Sequence, residues 1–205
     1  MTLVDSLIKE GWLKTPRIIA AFRKINRANF LPESLKGSAE VNEALPIGYG
    51  QTISQPLVVA FMLELLQPQE GDRVLDIGSG SGWTSALLGE LVGDSGRVTA
   101  LEIIPELRDL GEKNAGQYDF IKKGIVQFIL SDASKGYEKG APYNRILASA
   151  SAKGEIPNIW KKQLKPRGAI VAPVESSIWQ ILKTEEGKFE EIEYPGFIFV
   201  PLIET

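Results

Sequence analysis

The stretch Asp72 to Gly82, Asp-Arg-Val-Leu-Asp-Ile-Gly-Ser-Gly-Ser-Gly, narrows what this chain can fold into more than any other. Val74, Leu75 and Ile77 form the short apolar run of a buried parallel strand, and three alternating glycines end it. A turn leading from the carboxyl end of a strand into a helix leaves backbone N–H groups free. Its glycines let a ligand approach without interference from Cβ atoms. Something small and polar is expected to bind there.

The spacing decides which molecule. A dinucleotide fingerprint has its third glycine three residues after the second, and Trp83 occupies that place, which disfavours pyrophosphate. A second strand-like run, Arg97 to Leu101, ends in Glu102. That acid lies about 20 residues beyond the glycines, the interval at which a carboxylate on a second strand can take both ribose hydroxyls. The plainer alternative is a Gly-rich turn followed by a surface acid. Strand, glycines, helix, strand and acid in this order favour cofactor binding. Gly78, Gly80 and Gly82 preceded by Asp76 resemble the first motif of the Rossmann-like methyltransferases, which bind S-adenosylmethionine.

From Arg73 onward strands and helices alternate: strands over 73–77, 97–102, 125–130, about 145–149 and 169–174, with helices over 83–92, 105–116 and 156–164. This alternation predicts an α/β fold, a doubly wound, mostly parallel sheet with helices on both faces. Pro166-Arg167-Gly168 reads as a turn before the last of these strands. The tail differs, with 178–183 and 189–193 forming an antiparallel hairpin and 197–203 another strand or extended segment. Upstream lies a helical lead-in: residues 3–11 ended by Gly11, then a helix opened by Thr15 as N-cap and Pro16, with a stripe of Ile18, Ile19, Phe22 and Ile25. Residues 33–53 carry turn formers and little periodicity, and long irregular loops of this kind tend to be functional. Ser54 is placed to cap a helix over about 57–66. No repeat or linker interrupts residues 1–205, so one domain is expected.

Histidine and cysteine are both absent. Disulfides, thiolate metal sites and imidazole-dependent triads are thereby excluded, and carboxylates and hydroxyls remain as the side-chain catalysts. No metal is expected. A net charge of −3 exerts no global pull toward nucleic acid. The amino terminus lacks the basic start and apolar core of a signal peptide, and no apolar run reaches membrane-spanning length. A cytoplasmic protein without nucleic-acid or membrane partners is the expectation.

The loop Leu45-Pro46-Ile47-Gly48-Tyr49-Gly50-Gln51-Thr52-Ile53-Ser54, followed by Pro56, resembles the signature of the protein-L-isoaspartate O-methyltransferases. Val74 to Gly82, Gly136 to Tyr143, Gln163-Leu164-Lys165-Pro166 and Phe199-Val200-Pro201-Leu202 agree with that family, and the similarity runs from about residue 15 to the end. The resemblance implies a Rossmann-like methyltransferase using S-adenosylmethionine on the free α-carboxyl of L-isoaspartyl residues in damaged proteins. It implies Ser54 beside the transferable methyl and the substrate carboxylate, with Thr52 and Ile53 lining the same pocket. It also implies Asp76, Gly78, Gly80 and Gly82 around the methionine portion, Glu102 on the ribose, and Asp132 with its neighbour Ala133 at the adenine.

Chemistry agrees with that implication. An ionised carboxylate is already the nucleophile and a sulfonium already a good leaving group, so no general base is needed. The chain departs from the family pattern at Leu57, where a histidine is usual, and at Ser131 and Ala133, which flank Asp132 in place of glycines. Two rival readings are a methyltransferase for another carboxylate or small molecule, and a non-catalytic cofactor-binding relative.

Overall fold

A computed structural model describes residues 1–204. The chain opens with α1 (Leu3–Lys9) and α2 (Pro16–Lys24), passes two short 3-10 turns over Arg27–Phe30 and Glu33–Ser38, and forms a hairpin of β1 (Leu45–Gly48) and β2 (Gln51–Ile53). Then follow α3 (Pro56–Leu66), β3 (Arg73–Ile77), α4 (Trp83–Val92), β4 (Arg97–Glu102), α5 (Pro105–Gly116), β5 (Val126–Leu130) and β6 (Tyr143–Ala148). The remaining elements are α6 (Asn158–Gln163), β7 (Leu164–Val174), β8 (Ser177–Lys183) and β9 (Phe189–Pro195). A seven-stranded sheet has the order β5-β4-β3-β6-β7-β8-β9, parallel from β5 to β7 and antiparallel beyond.

This order explains where a ligand can enter. From β3 the chain steps outward through β4 to β5, then returns to the other side of β3 as β6. The loops after β3 and β6 therefore leave the sheet in opposite senses and open a crevice between them, the topological switch point of such sheets. Gly78, Gly80, Ser149 and Ala150 flank that crevice.

Local chemistry accounts for the elements. Thr2 and Asp5 close a reciprocal capping box at the start of α1, satisfying two otherwise orphaned donors. Helix α4 is buried almost all round, from Trp83 to Val92, because it lies between the sheet and the N-terminal helices. Phe22 of α2 meets Trp83 edge-on with centroids 5.7 Å apart. The N-terminal helices thus share one apolar core with β3, β4 and α4.

Most predicted strands and helices lie within a few residues of their places, and several local expectations are corrected. Ser54 does not cap α3: the N-cap position is Gln55, without a side-chain cap bond, and Pro56 is the first helical residue. Thr15 holds the N-cap position of α2 but makes no cap bond; its hydroxyl donates to Glu64 at 2.7 Å instead. Pro166-Arg167-Gly168 is an irregularity inside β7, where the pairing jumps from Tyr143 with Leu164 to Arg145 with Ala169 and Arg167 takes φ +60°. Residues 45–53, read as irregular, form the β1–β2 hairpin. Glycines at 48 and 50 obscured its short strands, and Tyr49 between them also has positive φ. Residues 197–203 are extended, joined to the rest by a bridge between Ser151 and Pro201.

Candidate functional site

The glycine turn is fastened to the end of β4. The N–H groups of Gly78 and Ser79 both donate to the Leu101 carbonyl at 3.0 Å. Gly80 N–H donates to one Glu102 carboxylate oxygen at 2.8 Å, and the other oxygen accepts from Ile103 and Ile104 at 2.9 and 3.1 Å. Glu102 reaches this point because Leu101 pairs with Ile77 in register, so the acid sits just beyond the end of β3. Three charge-assisted bonds hold its carboxylate at the cleft wall.

The β1–β2 hairpin covers the turn. A Cβ on Gly80 would stand 3.2 Å from Ile47 Cδ1, so the hairpin tolerates glycine there with little room to spare. Between hairpin, glycine turn and the ends of β4 and β6 lies a cleft. The extended tail supplies another wall through Val200 to Ile203, anchored by Ser151 N–H donating to the Val200 carbonyl and Leu202 N–H donating to the Ser151 carbonyl, both at 2.8 Å.

Of the residues expected from the sequence, Thr52, Ile53, Ser54, Gly78, Gly80, Glu102 and Ala133 line this one cleft. Asp76, Gly82 and Asp132 do not. Asp76 lies one residue inside β3, beneath the glycine turn and fully buried, where one oxygen accepts from the Ser85 hydroxyl at 2.5 Å and the other has no partner among the described residues. Burial pushes its carboxyl up to about 7, the Ser85 hydrogen bond acts in the opposite sense, and the charge on Glu102 adds to the rise. Gly82 begins α4 at φ +87°, and a Cβ there would fall 2.7 Å from the Gly111 carbonyl oxygen of α5, so its role is close helix packing. Asp132 caps its own turn, accepting from Ser134 N–H at 3.0 Å and pairing with Lys135, while its neighbours Ser131 and Ala133 face the cleft.

Sequence reasoning missed several lining residues. Ile103 and Ile104 offer an apolar wall directly after Glu102, and Trp83 and Ser79 contribute from the turn itself. The Ser79 hydroxyl and the Trp83 indole N–H are buried without a partner among the described residues. The Phe199-Val200-Pro201-Leu202 motif was visible in the sequence, but nothing in its pattern pointed to the cleft.

The site thus combines a glycine-lined backbone turn, a carboxylate at its rim, an apolar slot, and a hydroxyl-bearing loop opposite. Ser54 lines the cleft and does not cap α3, so among the described residues its hydroxyl is not taken up by the helix and faces a ligand. The cleft has the mixed polar and apolar lining of a cofactor pocket.

The family model for protein-L-isoaspartate(D-aspartate) O-methyltransferase matches residues 1–205. A protein-L-isoaspartate O-methyltransferase of Methanopyrus kandleri is 42% identical over 98% of this chain and 89% of its own length. A second, from Archaeoglobus fulgidus, is 46% identical over 91% of this chain and 84% of its own length. A crystal structure of the Plasmodium falciparum counterpart with S-adenosyl-L-homocysteine has the same fold, with a TM-score of 0.85 at 20% identity over 99% of this chain and 97% of that one. With its whole length matched and relatives above 40% identity, this chain belongs to the protein-L-isoaspartate(D-aspartate) O-methyltransferase family.

Proposed function

We infer that this protein methylates the free α-carboxyl of L-isoaspartyl residues in damaged proteins, using S-adenosylmethionine, and so starts their repair. The observation that carries this reading is a single cleft lined on one side by Gly78, Gly80 and Glu102 and on the other by Thr52, Ile53 and Ser54, in a chain of this family. Residues 1–205 are read as one domain, because the N-terminal helices and the sheet share a core.

The lining fits the cofactor. Gly78 and Gly80 leave space where side chains would intrude, Glu102 stands at the position for ribose hydroxyls, and Ile103, Ile104 and Ala133 offer apolar surface to an adenine. Asp132 supports that end by holding the turn that carries Ser131 and Ala133. Asp76 and Gly82 act from beneath, through the shape of the glycine turn. When bound, S-adenosylmethionine supplies an electrophilic methyl group on a sulfonium.

The chain's own residues then have two tasks. Ser54 donates its hydroxyl hydrogen to the substrate carboxylate and orients it without neutralising it. Thr52, Ile53 and the tail wall exclude water. Orientation and water exclusion together supply on the order of 7–11 kcal/mol in reactions of this type. The methyl ester that forms closes to a succinimide without further help.

The test incubates the protein with labelled S-adenosylmethionine and an isoaspartyl peptide beside its aspartyl twin. Base-labile methyl ester is expected on the isoaspartyl peptide alone, and its absence there would rule the substrate out.

A further inference from the structure

Arg27 is 5% exposed, and among the described residues its guanidinium meets no carboxylate. All its hydrogen bonds go to backbone carbonyls. One terminal nitrogen donates to Ala39 at 3.2 Å and Val41 at 3.0 Å, the other to Glu43 at 2.7 Å and Ser54 at 3.3 Å, while Nε has no partner among the described residues. The guanidinium carbon stands 5.3 Å from the centroid of the Trp83 ring, which lines the cleft. One planar group therefore touches the 39–43 segment, the end of the Ser54 loop and the first residue of α4.

Burying a cation without a counter-ion costs several kcal/mol, and burial accordingly pushes the Arg27 pKa down to about 10. Carbonyl dipoles and an aromatic face offset part of it. A neutral side chain could fill the space more cheaply. What only a guanidinium supplies is a rigid fork that fixes several carbonyls at once, with a full positive charge. That charge lies within one hydrogen bond of the Ser54 backbone.

We propose that Arg27 is a positioning residue for methyl transfer: its fork fixes the Ser54 backbone against Trp83, and its buried charge draws the acceptor carboxylate to that side of the cleft. A second link works in the same direction. Asn42, inside the clamped segment, accepts Leu57 N–H at 2.9 Å through its side chain and Gln55 Nε2 at 2.9 Å through its carbonyl. The 39–43 segment is thus tied both to Arg27 and to Gln55 and Leu57, directly after Ser54. The inference rests on the methyl-transfer reading above.

The experiment compares wild type, Arg27→Lys, Arg27→Met and Asn42→Ala for turnover of an isoaspartyl peptide, KM for that peptide, S-adenosylhomocysteine affinity by calorimetry, and melting temperature. Arg27→Lys keeps the charge and loses the fork, so kcat falls by roughly 10- to 100-fold, as when a reacting group is misplaced by about 1 Å. Its peptide KM and S-adenosylhomocysteine affinity stay within about twofold. Arg27→Met shows the same fall in kcat and also a higher KM, because the charge is gone. Asn42→Ala, which leaves the buried cation in place, lowers kcat to a smaller extent.

Wild-type kcat in folded Arg27→Lys overturns the proposal, as does a loss confined to S-adenosylhomocysteine affinity. Should both Arg27 variants fail to fold, Asn42→Ala decides, and unchanged kcat there overturns it. Failure of the wild type itself to methylate the peptide would instead sink the functional reading.

Discussion

Glu102 and Gly80 are joined by a 2.8 Å hydrogen bond from the glycine N–H to the carboxylate, which ties the end of β4 to the middle of the glycine turn. The acid assigned to the ribose therefore also holds the turn on which the cofactor would rest. Binding and scaffold are one group at this point, and substitution there must change both.

Glu102→Gln keeps the size and removes the charge. The variant should bind S-adenosylhomocysteine at least ten times more weakly and lose about 1–3 kcal/mol of stability, because three backbone donors lose a charged acceptor. Calorimetry and urea unfolding read the two effects separately. Wild-type affinity would remove Glu102 from the cofactor site.

Ser54→Ala should leave stability within about 0.5 kcal/mol of wild type, since Ser54 makes no cap bond to α3. Turnover of an isoaspartyl peptide should fall well before S-adenosylhomocysteine affinity does. A capping serine would behave in the reverse way, costing about 1 kcal/mol of stability. Denaturation together with steady-state kinetics distinguishes the two.

Asp76 makes stability depend on pH with a definite sign. Below about pH 4 the carboxyl is protonated in both the folded and the unfolded chain and costs nothing. As pH rises from about 4 to 7, the unfolded carboxyl ionises while the folded one, pushed up to about 7, stays protonated, so stability falls and then levels off. The loss reaches roughly 4 kcal/mol for this group. Asp76→Asn does not titrate and can still accept from Ser85. Its stability relative to wild type should therefore rise between pH 5 and pH 8 in urea unfolding, and a constant difference would contradict a protonated Asp76.

Two glycines of the turn should respond differently to alanine. Gly82→Ala meets both a left-handed backbone and the Gly111 carbonyl of α5, and should cost roughly 2–5 kcal/mol. Gly80→Ala shares the left-handed backbone, at φ +53°, but meets only the movable end of Ile47 rather than a backbone carbonyl, and should cost roughly 1–2 kcal/mol. Its larger effect should appear in S-adenosylhomocysteine affinity. Equal destabilisation of the two variants would argue against separate packing and binding roles.

Much of this could be read along the chain, because the signals were local. Short apolar stretches, Val74-Leu75 with Ile77 before a glycine and Val98 with Ala100-Leu101 before an acid, marked β3 and β4, since a strand covered on both faces is mostly apolar. The order of elements predicted a parallel sheet, and the glycine spacing with the 45–56 loop identified the family and the cleft. The sequence alone also excluded imidazole and thiolate chemistry.

Contacts between distant residues were not legible in this way. Asp76 and Gly82 belong to the same motif as Gly78 and Gly80, yet strand register buries one under the turn and a helix crossing claims the other. The β1–β2 hairpin, the tail wall at Val200 to Ile203 and the carbonyls gathered around Arg27 exist only because segments far apart in the chain meet. Periodicity reports which face of an element is buried. What lies against that face depends on the order and direction of the packed strands and helices, which is why the sequence determined the fold and the family, and the tertiary structure alone decided which side chains share the cleft.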